Sequence, residues 1–326
     1  MQQEQVIIIG AGPCGMSAAI ELQNNGIQPL IIEKGNIVDS IYRYPTHQTF
    51  FSSSEKLEIG DVAFVTEKQK PVRNQALAYY RTVAKRKDLR INNFEKVSSI
   101  DKQDNLYIVK SFNKDGESKV YSTKFVVIAT GYYDQPNPLN IKGEELDKVF
   151  HYFKEAHPYF KKNVVVIGGK NSAVDATIEL HKAGANVTVL YRGNDYSPSV
   201  KPWILPEFVS LIKHKKVQLE FKASVLEITN ESVLYEVDGI KKSVPNDFVF
   251  AMTGYRPDQE FLKKTGITVD METGRPNYNE KTMETNIENV YIAGVIAAGY
   301  DNNEIFIENG RFHGGLIASS IKEKLL

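Results

Sequence analysis

The sequence predicts an α/β protein of two nested Rossmann-like dinucleotide-binding domains, and three observations predict it. A strand, a glycine turn and a helix occur at VIIIGAGPCGMSAAIELQNNG and again at VVVIGGKNSAVDATIELHKAG. Each unit closes with a second short strand, QPLIIEK after Gly26 and NVTVLYR after Gly184, so each reads as a βαβ unit whose helix stops at glycine. Much later, each is followed by an apolar strand ending in a similar tripeptide, ATG in FVVIATGYYDQPNP from Phe125 and MTG in FVFAMTGYRPD from Phe248. The second unit is therefore read as an insertion into the first.

On this reading residues 1–137 and 258–326 make one discontinuous dinucleotide-binding domain, and 138–257 a second, inserted one. A length of 326 residues suits two domains of roughly 150 residues each. Pro136, Pro138 and Pro257 fit exposed connections between domains, because proline neither continues a helix nor donates to a sheet ladder. The runs DNLYIVKSF and SVLYEVDGI alternate as antiparallel strands do.

Composition narrows the function classes. Apolar residues make up 42% and charged residues 25% of the chain, with no apolar run long enough to span a membrane. The N-terminal MQQEQ lacks a basic region ahead of its first strand and is read as no targeting peptide, which points to the cytoplasm. Forty Lys and Arg balance forty Asp and Glu, which argues against nucleic acid as a partner. A homo-oligomer is left open. The single cysteine closes no intrachain disulfide and makes no CxxC pair or metal cluster, so redox chemistry rests on a cofactor.

In the first loop Gly10, Gly12 and Gly15 complete GxGxxG directly after a strand, with Pro13 and Cys14 inside the same turn. Gly10 permits the turn, Gly12 lets the backbone approach a diphosphate, and Gly15 lets the helix pack on the strand. The helix N-terminus aims its amides at the diphosphate. Glu33, followed by Lys34, ends the next strand at the offset where a carboxylate accepts hydrogen bonds from ribose hydroxyls. The alternatives are NAD and FAD, and the duplication favours FAD, since two dinucleotide sites most simply hold two different dinucleotides.

The second loop keeps Gly168 and Gly169, sets Lys170 at the middle glycine position, and continues through Asn171, Ser172 and Ala173. Lys170 either reaches a phosphate or folds into solvent. The offset that gives Glu33 in the first unit gives Tyr191 here, followed by Arg192. Loss of the carboxylate removes repulsion against a 2′-phosphate and an arginine can pair with one, so NADPH is favoured over NADH. The competing reading of Arg192 is a solvated surface residue.

With these two loops, the ATG and MTG crossings and a C-terminal TNIENVYIAGV, the chain resembles, over essentially its full length, the two-dinucleotide flavoproteins that include thioredoxin reductase. The resemblance implies FAD contacts at Gly131, Gly294 and Ile305 and an NADPH contact at Gly254. It also implies that Asn303, Glu304 and Ile305 open the last helix toward the flavin. Val295 stands where that family carries an aspartate, and the CxxC of thioredoxin reductases is absent, which excludes their dithiol exchange. The GAGPCG, TFFSSSEKLEIGD, ATGYYDQPNP and AGVIAAGYDNNEIFIENGRFHGG segments are most similar to the bacillithiol-disulfide reductase family. That resemblance implies NADPH-driven reduction of a small-molecule disulfide, bacillithiol disulfide, through FAD.

Cys14 then reads as the catalytic residue: helix dipole and loop amides favour its thiolate, the diphosphate opposes it, and a thiolate there forms a mixed disulfide with half of the substrate. The alternative is a small apolar filler. Rival functions are a ferredoxin–NADP reductase of the thioredoxin-reductase type, a flavin monooxygenase suggested by VFHYFKEAHPYFKK, and a non-catalytic nucleotide sensor. His47 and the run from Phe50 to Ser54 are candidates to line the flavin, with an ordinary loop histidine the equal alternative for His47. Trp203 is either a loop anchor or a cover for nicotinamide.

Overall fold

The structure, a computed structural model, describes residues 1–301 and 303–326; Asn302, inside the C-terminal segment quoted above, lies outside the described residues. The chain opens with β1 (Gln2–Ile9), α1 (Pro13–Asn24), β2 (Pro29–Ile32) and α2 (Asp39–Arg43). It continues through α3 (Arg73–Arg86), β3 (Ile91–Asn92), β4 (Glu95–Gln103), β5 (Leu106–Asn113) and β6 (Ser118–Ile128). Next come β7 (Val149–Phe150), β8 (Asn163–Ile167), α4 (Asn171–Lys182), β9 (Asn186–Leu190), α5 (Leu205–Lys213) and β10 (Gln218–Glu220). The strands β11 (Ser224–Ile228), β12 (Ser232–Val237), β13 (Ile240–Pro245) and β14 (Phe248–Ala251) follow. The chain ends with α6 (Gln259–Lys264), β15 (Val290–Ile292), α7 (Ile307–Gly310) and α8 (His313–Leu325).

Contacts divide the chain into two compact units: Met1–Tyr42, Gln48–Gln135 and Arg256–Leu326 in the first, Arg43–His47 and Pro136–Tyr255 in the second. The five-residue excursion at Arg43–His47 has no signature in the hydrophobic pattern. Pro257 is buried, against the expectation of an exposed connection. The chain passes from it straight into α6, which Asp258 caps by accepting the Phe261 amide proton at 3.0 Å.

The first unit is built on a seven-stranded sheet in the order β3-β2-β1-β6-β5-β4, with β15 also on β6. β1 lies parallel between β2 and β6. Val6 to Ile9 are accordingly buried on both faces, which is why the strand reads as a continuous apolar run and not an alternation. On its other side β6 is shared. Residues from Ser118 to Thr123 pair antiparallel with β5, and Val126 to Ile128 pair parallel with β15. The alternating run at 106–113 forms β5, antiparallel to both neighbours.

The second unit carries a five-stranded parallel sheet in the order β10-β9-β8-β14-β7 and a separate antiparallel meander β11-β12-β13. One face of the parallel sheet packs on α4 and α5 through Val164, Val166, Val174, Ile178, Val189 and Phe208. Its other face packs on the meander through Val165, Ile167, Leu190, Val233 and Tyr235. The two βαβ repeats thus take the same form, one in each unit.

Candidate functional site

In the first unit the three loop glycines are required for different reasons. Gly10 sits at φ +108°, and a β-carbon on it would lie 2.5 Å from the Ala129 carbonyl oxygen. A β-carbon on Gly15 would lie 2.1 Å from the Gly10 carbonyl oxygen, so helix and strand touch there without room for a side chain. At Gly12 a β-carbon would meet nothing within 4 Å. The fold itself does not require glycine at that position, which leaves it open to an approaching ligand. Gly12 caps α1, with Pro13 in its first turn, where the missing N–H costs nothing and the first free amides face outward.

Glu33 is buried and accepts hydrogen bonds from the amides of Ala11 and Gly35, both at 2.7 Å. Burial raises its pKa, against the lowering effect of those two bonds, and its remaining lone pairs leave acceptor capacity. Lys34 pairs with Asp134. Gly131, at φ +68°, also faces open space, and beside it the buried Thr130 hydroxyl has no hydrogen-bond partner among the described residues. Open approach at Gly12 and Gly131, an unpartnered hydroxyl and a carboxylate with spare lone pairs fit an anionic dinucleotide such as FAD.

Cys14 stands half-buried in the first turn of α1. A β-carbon on Gly294 would lie 3.0 Å from its Sγ, and one on Gly310 would lie 2.9 Å away. The thiol therefore rests in a slot between two α-carbons, with Ile305 against Gly310 behind it. Burial pushes the Cys14 thiol up to about 12, and the Glu308 charge adds in the same direction. This departs from the expectation that the helix end favours a thiolate: in the protein alone, burial and the Glu308 charge both favour the protonated thiol. Glu308 accepts a hydrogen bond from Ser52, and the Gly294 amide donates to His313 Nδ1 at 3.1 Å.

The last helix departs from expectation as well. Asn303, Glu304 and Ile305 are not helical; a short α7 begins at Ile307, and α8 begins at His313. The Glu304 carboxylate pairs with Arg275 and its carbonyl accepts from Asn309, which holds the segment as a turn. Val295 opens a 3-10 turn running to Ala298.

In the second unit Gly168 repeats Gly10, with φ +138° and a β-carbon position 2.4 Å from the Met252 carbonyl oxygen. Ala173 takes the third glycine position, buried under the helix start. Lys170 caps α4 with an exposed side chain, and Ser172 is exposed beside it. Asn171 is occupied within the protein: it donates to the Ser199 carbonyl and accepts the Lys201 amide, both at 2.9 Å. Gly254, at φ +87°, has the Asn137 amide nitrogen 3.4 Å from its β-carbon position.

Tyr191 lies with its ring against Gly169 and Gly193, where a β-carbon would come within 2.4 Å and 2.5 Å of ring atoms. Arg192 is exposed. His47 has its contacts in this unit, pairing with Asp175 on α4 at 3.2 Å and meeting Phe153 edge-on. Trp203 is 55% exposed.

Sequence reasoning did not single out Gly310, Glu308 or His313 around Cys14, nor the bond from Ser52 to Glu308, nor the seat of the Tyr191 ring. They are remote in sequence from the loops they meet. The FHGG tetrapeptide was the one local signal, since paired glycines in a helix imply close packing: a β-carbon on Gly314 would lie 2.7 Å from the Ala18 α-carbon.

The profile of the pyridine nucleotide-disulphide oxidoreductase family matches residues 7–294. The bacilliredoxin reductase Bdr of Bacillus subtilis (strain 168) is 62% identical over 99% of each chain. Among solved structures, bacillithiol disulfide reductase Bdr (YpdA) from Bacillus cereus is 63% identical, with a TM-score of 0.98 over 99% of this chain and 100% of that one. The protein of the same name from Staphylococcus aureus is 61% identical, with a TM-score of 0.96 over the whole of both chains.

Proposed function

The chain belongs to the pyridine nucleotide-disulphide oxidoreductase family, among its bacillithiol disulfide reductases, and on that premise we propose that it reduces bacillithiol disulfide with NADPH through FAD. The reaction balances as NADPH, one proton and one disulfide giving NADP⁺ and two thiols. FAD, when bound, supplies the two-electron chemistry between the nicotinamide and the disulfide. Gly10, Gly12, Gly15 and the first amides of α1 would hold its diphosphate, Glu33 its ribose, and Gly131, Gly294 and Ile305 its flavin end. Gly168, Lys170 and Arg192 hold NADPH, with the two cations on the phosphates.

Cys14 provides the sulfur that engages substrate. Its Sγ, once it has lost its proton, forms an S–S bond to one half of the disulfide as the substrate's own S–S bond breaks, and the other half leaves as a thiolate that takes up a proton. The electron pair that originates from NADPH then breaks the S–S bond of the mixed disulfide, the second half of the substrate leaves as a thiol, and Cys14 is restored. The reactants belong to a reducing compartment, so the reaction is assigned to the cytoplasm. Among the described residues no helix is long and apolar enough to cross a membrane.

The observation that carries this reading is the seat of Cys14, the chain's one thiol, in the first turn after the glycine loop, with Sγ between Gly294 and Gly310. The test is NADPH oxidation by purified protein with bacillithiol disulfide, glutathione disulfide, cystine, ferredoxin and oxygen in turn, followed by stopped flow on Cys14→Ala. We expect bacillithiol disulfide to be the best acceptor. The variant should keep FAD and still be reduced by NADPH, yet fail to reoxidise with the disulfide. Faster turnover with ferredoxin overturns the substrate assignment, and normal reoxidation of the variant overturns the role of Cys14.

A further inference from the structure

The slot that holds Cys14 depends on a glycine in a conformation open to no other residue. Gly294 sits at φ 80° and ψ −159°, a region that glycine alone occupies and that persists only where neighbours over-determine it. Three hydrogen bonds do so: Ala293 N–H to the Ile128 carbonyl at 2.9 Å, Ala297 N–H to the Gly294 carbonyl at 3.1 Å, and Gly294 N–H to His313 Nδ1 at 3.1 Å. Only the third uses a side chain. Because a backbone N–H can only donate, Nδ1 must be unprotonated, and the ring proton is on Nε2. Burial lowers the His313 pKa, which keeps the ring neutral and the acceptor in place.

The two walls of the slot come from different elements, Gly310 from the end of α7 and Gly294 from the turn after β15. α8 packs on α1 through Gly314 against Ala18, and the Ser17 hydroxyl donates to the Arg311 carbonyl at 2.7 Å. α1 and the α7–α8 junction, which bear Cys14 and Gly310, are thereby locked together. Gly294 arrives separately, on the turn after β15, and a β-carbon on Gly310 would lie 3.2 Å from the Gly294 α-carbon. The hydrogen bond to His313 ties that second wall to the first. We propose that His313 is a positioning residue for Cys14: by accepting the Gly294 amide proton it fixes the glycine turn against Sγ and so sets the aim of the thiol toward an incoming disulfide.

This rests on the reading of Cys14 as the sulfur that engages substrate, and the test separates the two. The holoenzymes of unmutated protein, His313→Asn and His313→Leu are compared. Asparagine offers an oxygen close to the position of Nδ1; leucine fills the space with no acceptor. FAD content and NADPH reduction of the flavin are measured in all three, and reoxidation is taken per bound, reduced flavin, because Gly294 is also assigned to the flavin end. Reoxidation by bacillithiol disulfide should fall about tenfold or more in His313→Leu, the cost of a lost hydrogen bond, and recover to within about threefold of the unmutated rate in His313→Asn. The rate at which iodoacetamide labels Cys14 should separate the two variants in the same way, and it reads the position of the thiol whatever the electron acceptor. Leucine and asparagine variants that label Cys14 at the same rate overturn the proposal. Should the leucine variant fail to fold, nitrogen NMR of the unmutated imidazole decides: a protonated Nε2 with a bare Nδ1 supports the hydrogen bond, and a protonated Nδ1 overturns it.

Discussion

Replacing Gly12 and Gly15 separately by alanine should divide ligand binding from folding within one loop. At Gly15 the new methyl would lie 2.1 Å from the Gly10 carbonyl oxygen. Helix and strand would have to part by more than an ångström, and overpacking of that degree costs on the order of 3 kcal/mol. At Gly12 the methyl meets no protein atom within 4 Å, and the backbone at φ −73° and ψ 172° suits alanine. The lower entropy of the unfolded chain contributes about 0.4–1 kcal/mol, and loss of a glycine cap offsets a similar amount. FAD-free Gly12→Ala should therefore melt close to the unmutated apoprotein. Its methyl instead occupies the approach of the diphosphate. Loss of one charge-assisted hydrogen bond costs about 1.5–3 kcal/mol, which corresponds to roughly a 10- to 150-fold weaker Kd for FAD. Thermal melts of the apoproteins and flavin-fluorescence titrations check both halves. A Gly12→Ala protein that binds FAD as tightly as the unmutated chain would refute the reasoning, as would a Gly15→Ala protein of unchanged stability.

Arg192→Ala should raise the KM for NADPH about 10- to 100-fold and leave that for NADH nearly unchanged; equal loss for both cofactors would mean that the 2′-phosphate is held elsewhere. In the FAD-free protein, alkylation of Cys14 should rise about tenfold per pH unit between pH 8 and 10, because the thiol is raised from 9.0 to about 12, and a plateau below pH 10 contradicts the burial argument. The same shift makes a stabilisation that is complete below pH 9 and lost as pH rises toward 12. His47 should titrate above 6.5, since its hydrogen bond to Asp175 raises it. The stabilisation it lends is full below pH 6.5 and disappears as pH rises through the folded-state value; being partly exposed, the pair contributes under about 1 kcal/mol. Proton NMR of His47 in Asp175→Asn, showing a downward shift, checks it.

The sequence by itself determined the two βαβ repeats, because each is a local pattern: an apolar run buried on both faces, a turn that needs glycine, and a helix stopped by glycine. Glu33 was legible for the same reason, lying at a fixed offset from its loop. What the sequence could not determine is what arrives from far along the chain. Cys14 meets Gly294 and Gly310, nearly three hundred residues away, and burial there, with the Glu308 charge adding to it, pushes the pKa of a thiol at a helix start up where a thiolate was expected. The loop and the dipole are local and visible in sequence. Desolvation depends on every atom that excludes water, so only the tertiary structure decided it. The start of the last helix, which the resemblance placed at Asn303 to Ile305, comes later in the chain: Glu304 is held by Arg275 and Asn309, side-chain partners that only the fold brings to it.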